Sequence, residues 1–223
     1  MIEVLVGQLL ERKAALSRRA IDEMYRRPFW SERFGDRGRH HSDEDGNHHV
    51  SYLIEALSAR EPDVLRRYAR WLQPVLTTRG LCTRHLDQNF EHLQAIVKSE
   101  VPNSGAAVEL LQVAREALVY TEGPGRALQL WAAALSRAVR DRLPDADFED
   151  VDDHLSYLAD AAALDRTDLF AAYARFMDGF YGRRSAAGRE RKLLLVLSAV
   201  FEESPLRESV AAALQQALEV VPA

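Results

Sequence analysis

The feature that most constrains this chain is an internal repeat. Residues 49–71 align without gaps with residues 154–176, at an offset of 154 − 49 = 105 positions. Chance would give about one or two identities in a window of this length, so the match predicts two copies of one structural unit. The identical pairs are His49/His154, Ser51/Ser156, Tyr52/Tyr157, Leu53/Leu158, Ala56/Ala161, Asp63/Asp168, Tyr68/Tyr173, Ala69/Ala174 and Arg70/Arg175.

The apolar residues of the repeat recur at the spacing of amphipathic helices. Leu65, Tyr68 and Leu72 follow this spacing, and so do Phe90 and Leu93 further along the chain. We find no sustained alternation of polar and apolar residues, which a half-buried strand would require. Alanine, leucine, arginine and glutamate dominate the sequence, and these residues favour helices. The sequence therefore predicts an all-α protein.

The repeat extends towards the N-terminus, with a change of offset. The pentapeptide AALSR stands at 14–18 and again at 133–137, an offset of 119, so the first copy holds 119 − 105 = 14 additional residues. We predict a tandem duplication of a four-to-five-helix unit packed as helical bundles. The first repeat spans 1–120, with an insert near 26–44, and the second spans 121–223.

Charge and cysteine content limit the classes of partner and compartment. The net charge of −5 gives no support to a nucleic-acid partner. A single cysteine, Cys82, excludes an internal disulfide framework and a multi-thiolate zinc site, and it fits a reducing compartment. Apolar runs are too short to span a bilayer. We therefore expect a cytoplasmic protein with neither a nucleic-acid nor a membrane partner.

In each copy of the repeat an aspartate stands four residues before the histidine that both copies share. The two pairs are Asp45/His49 and Asp150/His154. On a helix the two side chains of such a pair share one face. One interpretation is a duplicated metal or acid–base site for iron, manganese or zinc. The other is structural: each aspartate lies in the first turn of a helix, and each histidine packs between helices. One ring nitrogen of the histidine then forms a hydrogen bond with the aspartate or with a tyrosine such as Tyr68.

The insert concentrates aromatic and basic side chains that the second copy lacks. It carries Trp30, Arg37, Arg39, His40 and His41. One interpretation is a ligand or partner site, with the aromatic ring for stacking, the arginines for an anion and the histidines for metal or proton transfer. The other is an ordered connector whose aromatic residues cap the bundle core.

Two classes of function fit this organisation. The first is a non-catalytic helical-repeat protein that binds a protein partner as an adaptor, sensor module or assembly subunit. The second is a metal- or cofactor-binding helical bundle, such as a small oxidoreductase or a tetrapyrrole carrier. No catalytic motif is recognised, which favours the first class, and a homo-oligomer is compatible with either.

Overall fold

The computed structural model describes residues 2–222, apart from the side chain of Phe148. In this part of the chain there are ten α-helices and no strand, and 83% of the described residues are helical. The all-α prediction is confirmed. The helices are α1 Ile2–Met24, α2 Pro28–Ala59, α3 Pro62–Thr77, α4 Thr83–Glu100, α5 Gly105–Ala117, α6 Gly123–Arg142, α7 Phe148–Leu164, α8 Thr167–Gly182, α9 Arg189–Glu202 and α10 Arg207–Val220.

The chain forms two compact units. The first comprises Met1–Gln73 and His85–Leu118, and the second comprises Pro74–Arg84 and Val119–Ala223. The first unit buries its apolar faces around large side chains that include Phe29, Leu53, Leu65 and Phe90, and the second around Tyr157, Tyr173, Phe170 and Phe201. Each unit thus has a core of its own.

In the first unit, α1 packs along α2. Leu5, Leu9 and Leu16 lie on one face of α1 and are buried. Gly46 of α2 lies directly against the side chain of Ser17, whose hydroxyl donates to the Asp43 carbonyl at 3.2 Å. The missing side chain at position 46 therefore lets the two helices approach closely at this point.

The insert is helical rather than a loop. Pro28 stands in the first turn of α2, where its missing N–H costs nothing. The helix then continues to Ala59, with one kink at Gly35, whose backbone is non-helical (φ 60°, ψ −164°). Glycine adopts this positive φ without a steric penalty. The additional residues of the first copy therefore lengthen α2 on its N-terminal side.

In the second unit, α6 packs along α7, and α10 packs against α8. An added Cβ at Gly125 of α6 would lie 3.0 Å from the Ala159 carbonyl oxygen and 2.6 Å from the Ala163 Cβ. Ser136 of α6 donates to the Asp152 carboxylate at 2.6 Å. Within residues 2–222, none of the helices combines the length and hydropathy that a transmembrane segment requires.

Candidate functional site

His49 lies in the core of the first unit. It is 3% exposed, and its Nδ1 is 2.7 Å from the Tyr68 hydroxyl. The Phe90 ring lies 4.9 Å away, centroid to centroid. Burial, assisted by neighbouring His48, lowers the pKa of His49 to about 3, so the imidazole is neutral at neutral pH. The predicted tyrosine partner is therefore present, and the histidine is held without a net charge.

Asp45 does not occupy the position that we predicted for it. It lies in the middle of α2, which begins at Pro28, and not in a first helical turn. The reason is that the insert extends the helix before the aspartate. Asp150, by contrast, does lie in the first turn of α7, which Asp147 caps by accepting the Glu149 N–H at 2.8 Å. The first-turn prediction is therefore right for Asp150 and wrong for Asp45.

His154, the counterpart of His49, lies in the core of the second unit with different partners. Its Nε2 is 2.9 Å and 3.1 Å from the two carboxylate oxygens of Glu190, and both side chains are fully buried. Its Nδ1 is 2.5 Å from the Asp150 carbonyl oxygen and 3.3 Å from the Tyr173 hydroxyl. Burial lowers the pKa of His154, but the Glu190 carboxylate and, to a smaller extent, Asp150 together outweigh burial, and the pKa is raised above its ordinary value. The pKa values of the two equivalent histidines are thus shifted in opposite directions.

Asp150 contacts His154 through its backbone rather than its carboxylate. The carboxylate instead accepts a short hydrogen bond from the Tyr181 hydroxyl, and the Arg189 guanidinium lies 3.9 Å away. Burial and the Asp150 charge raise the pKa of Tyr181, which keeps the phenol protonated as a donor. The aspartate therefore connects α7 to the end of α8 and the start of α9.

Glu190 is the residue that the sequence analysis missed. Glu190 lies on the same face of α9 as three buried leucines. They follow it by three, four and seven residues and are Leu193, Leu194 and Leu197. A carboxylate on the apolar face of a helix is buried when the helix packs, and a buried carboxylate requires a partner. The spacing of Glu190 and the three leucines in the sequence therefore predicts a buried carboxylate on α9. At the offset of 105, the position of Glu190 corresponds to His85 in the first copy.

Asp160, a second buried carboxylate of α7, accepts three hydrogen bonds. It accepts from the Thr83 N–H at 2.6 Å, the Thr83 hydroxyl at 2.6 Å and the Tyr120 hydroxyl at 2.7 Å. Burial raises the pKa of Asp160 to about 6, although these hydrogen bonds favour the charged form. Asp153, the residue immediately before His154, pairs with Arg84 at 2.6 Å. The buried face of α7 is thus a row of partnered ionisable groups.

The insert residues do not converge on one point. Trp30 is 4% exposed and packs against the His85 ring at 4.9 Å between centroids. Arg39 pairs with Asp22 and lies 5.0 Å from the Tyr25 ring centroid. The remaining three side chains, Arg37, His40 and His41, are exposed, and both histidines lie within 3.5 Å of Glu44. Burial of Trp30 favours the interpretation in which the aromatic residues cap the core.

The four predicted metal ligands lie in separate units, Asp45 and His49 in the first, and Asp150 and His154 in the second. Across residues 2–222, none of them belongs to a group of three or more histidine, cysteine or carboxylate ligand atoms within 4.8 Å of one another. Each histidine instead uses ring nitrogens for protein hydrogen bonds. Metal binding by these residues stays a prediction.

Comparison of the chain with protein-family models, curated proteins and solved structures gave no match.

Proposed function

We propose that the chain is a tandem duplication of one five-helix unit and acts as a non-catalytic, cytoplasmic helical-repeat protein. In this proposal it works through protein–protein contacts, as an adaptor, sensor module or assembly subunit. The buried ionisable groups then serve the stability of the units, and the helix surfaces carry the function.

The duplication is supported by helices that begin and end in register. At the offset of 105, α3 (Pro62–Thr77) matches α8 (Thr167–Gly182) at both ends. The preceding helices, α2 and α7, end at equivalent positions, and each is followed by a residue in the left-handed conformation, Arg60 with φ 57° and Asp165 with φ 53°. A non-glycine residue at positive φ is uncommon, so its recurrence at equivalent sites favours a common origin.

Equivalent side chains also make equivalent contacts inside each unit. Tyr52 stacks on Tyr68 at 3.9 Å between centroids with an interplanar angle of 17°. Tyr157 stacks on Tyr173 at 3.9 Å and 16°. The same ring geometry at residues 105 positions apart is expected when two copies of one sequence fold in the same way.

A function at the surface is supported above all by the exposure of large apolar side chains on helices. Trp71 of α3 is 60% exposed, Leu130 of α6 is 63% exposed and Trp131 of α6 is 47% exposed. Tryptophan is enriched in binding interfaces. In contrast, the polar groups of His154, Glu190 and Asp160 are buried and bonded to one another or to their neighbours.

Photo-crosslinking in the cell of origin tests this proposal. A photoreactive phenylalanine analogue at Trp131 or Trp71 is expected to give discrete adducts with a protein. The same analogue at Glu109, an exposed residue of α5, serves as the matched control and should give none. Absence of adducts at both tryptophan positions, in protein that is folded and abundant, would contradict a role in protein binding.

The alternative function, a metal- or cofactor-binding bundle, is favoured by one observation. His154, Glu190 and Asp150 gather nitrogen and oxygen donors in a single buried region. Such donors suit iron, manganese or zinc, although a metal on Nε2 would have to replace the hydrogen bond to Glu190. Elemental analysis and an absorption spectrum of untagged protein test this. One metal per chain, lost in His154→Ala, would support the alternative, and a colourless metal-free protein would reject it.

A further inference from the structure

Helix α7 holds the connector between α3 and α4 through polar side chains. The Tyr157 hydroxyl donates to the Gly80 carbonyl oxygen at 2.6 Å. The Asp160 carboxylate accepts from the N–H of Thr83, the first residue of α4, also at 2.6 Å. All of these residues belong to the second unit, which includes Pro74–Arg84. A phenol thus binds the turn of the connector, and a carboxylate satisfies an N–H group at the start of the next helix.

Helix α2 carries the same pair of side chains on an open face. At the offset of 105, Tyr52 corresponds to Tyr157, and Glu55 corresponds to Asp160. Tyr157 is 1% exposed and Asp160 is fully buried, whereas Glu55 is exposed and Tyr52 is partly exposed. Each of the two α2/α7 tyrosines stacks on a tyrosine of the following helix with the ring centroids 3.9 Å apart. The open face of α2, defined by Tyr52 and Glu55, therefore presents the same donor and acceptor groups in the same setting.

The connector between α8 and α9 has the backbone turn that α7 binds in the α3–α4 connector. Four backbone hydrogen bonds recur at the offset of 105, with N–H donors at residues 78–81 in one connector and at residues 183–186 in the other. The φ angle is positive at Gly80 (86°) and at the equivalent Ser185 (58°). Ser185, Ala187 and Gly188 are exposed. The α8–α9 connector therefore presents to solvent the turn that α7 covers in its counterpart.

The starts of the two following helices differ by one residue. Helix α4 begins at Thr83 and α9 at Arg189, which is one position later at this offset. The first turn of α9 receives no hydrogen bond from the side chain of its N-cap, Gly188. Glu55 is one methylene longer than Asp160, so its carboxylate extends further towards the start of a helix that begins later.

The ion pair of the covered contact is missing from both halves of the open one. Arg84 pairs with Asp153 beside the α3–α4 connector. At the offset of 105 the acid is replaced by His48, and the arginine corresponds to Arg189. The Arg189 guanidinium lies 3.9 Å from the Asp150 carboxylate of its own unit. Because the acid is lost where the arginine is already paired, the open contact leaves no charge without a partner.

We propose that the open face of α2 binds the α8–α9 connector of a second copy of this chain. The Tyr52 hydroxyl donates to the Ser185 carbonyl oxygen, and the Glu55 carboxylate accepts N–H groups at the start of α9. This inference rests on the proposed function, of which it names one partner. The chain itself carries both halves of a contact whose geometry α7 already displays, and both halves are exposed.

The proposed contact joins two different surfaces, so it is heterologous. A bound pair of chains retains one open α2 face and one exposed α8–α9 connector. Association therefore continues beyond the dimer, either to a closed ring or to an open chain.

Sedimentation velocity from about 1 µM to 1 mM protein tests this association. The wild type is expected to increase in mass beyond a dimer. Tyr52→Phe combined with Glu55→Lys removes the donor and the acceptor, and it is expected to weaken association at least tenfold with an unchanged circular dichroism spectrum. Glu109→Lys makes the same change of charge at an exposed residue of α5 and should associate as the wild type does. A wild type that stays monomeric throughout, or a double variant that associates normally, would overturn the proposal.

Cysteine crosslinking identifies the two surfaces. His48→Cys and Ala187→Cys are made in separate chains, because their counterparts are Asp153 and Cys82, whose carboxylate oxygen and Sγ lie within 4.8 Å of each other. A short bismaleimide is expected to link a mixture of the two variants into a two-chain product, and neither variant alone. In the control, Leu195→Cys, at a position on α9 that is 51% exposed, replaces Ala187→Cys. Linking no greater than in this control would reject the assigned surfaces.

A chain that carries both cysteines tests whether the occupant comes from another copy. It is expected to give a ladder of linked chains on a denaturing gel. Links confined within single chains would overturn the assignment of the occupant to a second copy.

The proposal and the function on which it rests fail in distinguishable ways. A monomer whose position 131 photo-crosslinks to a different protein keeps the proposed function and rejects the second copy as occupant. Oligomers that the double variant loses, in a protein whose only adducts are with itself, keep this inference and reject the adaptor role.

Discussion

Glu190→Gln is expected to reverse the pH dependence that His154 contributes to stability. In the wild type the pKa of His154 is raised above 6.5, so its stabilising contribution is full below pH 6.5 and is lost as pH rises through the raised value. Burial also raises the pKa of Glu190, which acts in the same direction. Glutamine retains the shape and offers an amide N–H to a neutral Nε2, but it removes the carboxylate charge.

Without that charge, burial, the largest influence on His154, lowers its pKa and is opposed only by Asp150. The pKa of His49, which has no carboxylate partner, falls to about 3. The stabilising contribution is then full above pH 6.5 and is lost as pH falls. A single titrating group changes the free energy of unfolding by at most about 1.4 kcal/mol per pH unit. Between pH 7.5 and pH 5.5 we therefore expect Glu190→Gln to lose up to about 3 kcal/mol relative to the wild type.

Urea denaturation at several pH values from 5.5 to 8.5 measures this difference, and an NMR titration of the His154 ring measures the pKa directly. Glu202→Gln removes an exposed carboxylate from the same helix and serves as the control. Parallel stability curves for wild type and Glu190→Gln would refute the reasoning, and so would a His154 pKa that does not move.

Three further outcomes follow from the contacts of individual residues. Tyr68→Phe removes the hydrogen-bond partner of buried His49 and should cost about 1–3 kcal/mol of unfolding free energy in a urea titration; an unchanged midpoint would show that the bond contributes nothing. Gly125→Ala should lower the free energy of unfolding by about 1–3 kcal/mol, because the added Cβ meets the backbone oxygen of Ala159. Gly7→Ala is the matched control: an added Cβ there has nothing within 4 Å, and the variant should raise the free energy of unfolding by about 0.5–1 kcal/mol. Equal melting temperatures for the two variants would contradict this. Asp160 has a pKa of about 6 in place of 3.8, so its contribution to stability is full below pH 3.8 and is lost as pH rises through 6. Asp160→Asn should therefore abolish a decline of about 3 kcal/mol between pH 4 and pH 7, and a retained decline would show that another group causes it.

Local sequence was sufficient to predict the helical class of this protein. Apolar residues at the spacing of Leu65, Tyr68 and Leu72 fix which face of α3 is buried, because helical periodicity is a property of neighbouring residues alone. The partnership of His49 with Tyr68 was also within reach, since both residues recur at one offset and so had to share a role in the unit.

The insert shows where local reasoning was insufficient. Its glycines, histidines and aspartates are weak helix formers, and neither interpretation of the segment, a ligand or partner site or an ordered connector, predicted a long helix. Pro28 and Gly35 instead start and kink a helix that carries Trp30 into the core. Burial of an aromatic face decides such a case, because packing outweighs differences in intrinsic propensity.

The sequence by itself determined the helical class, the buried faces of helices such as α3 and the recurrence of a histidine in each half. Only the tertiary structure decided the direction in which the pKa of each histidine is shifted. His49 and His154 occupy equivalent positions, yet one is bonded to a phenol and the other to the carboxylate of Glu190, 36 residues away in the chain. The pKa of a buried group depends on the few atoms within hydrogen-bonding distance, and the packing of distant helices determines which atoms those are.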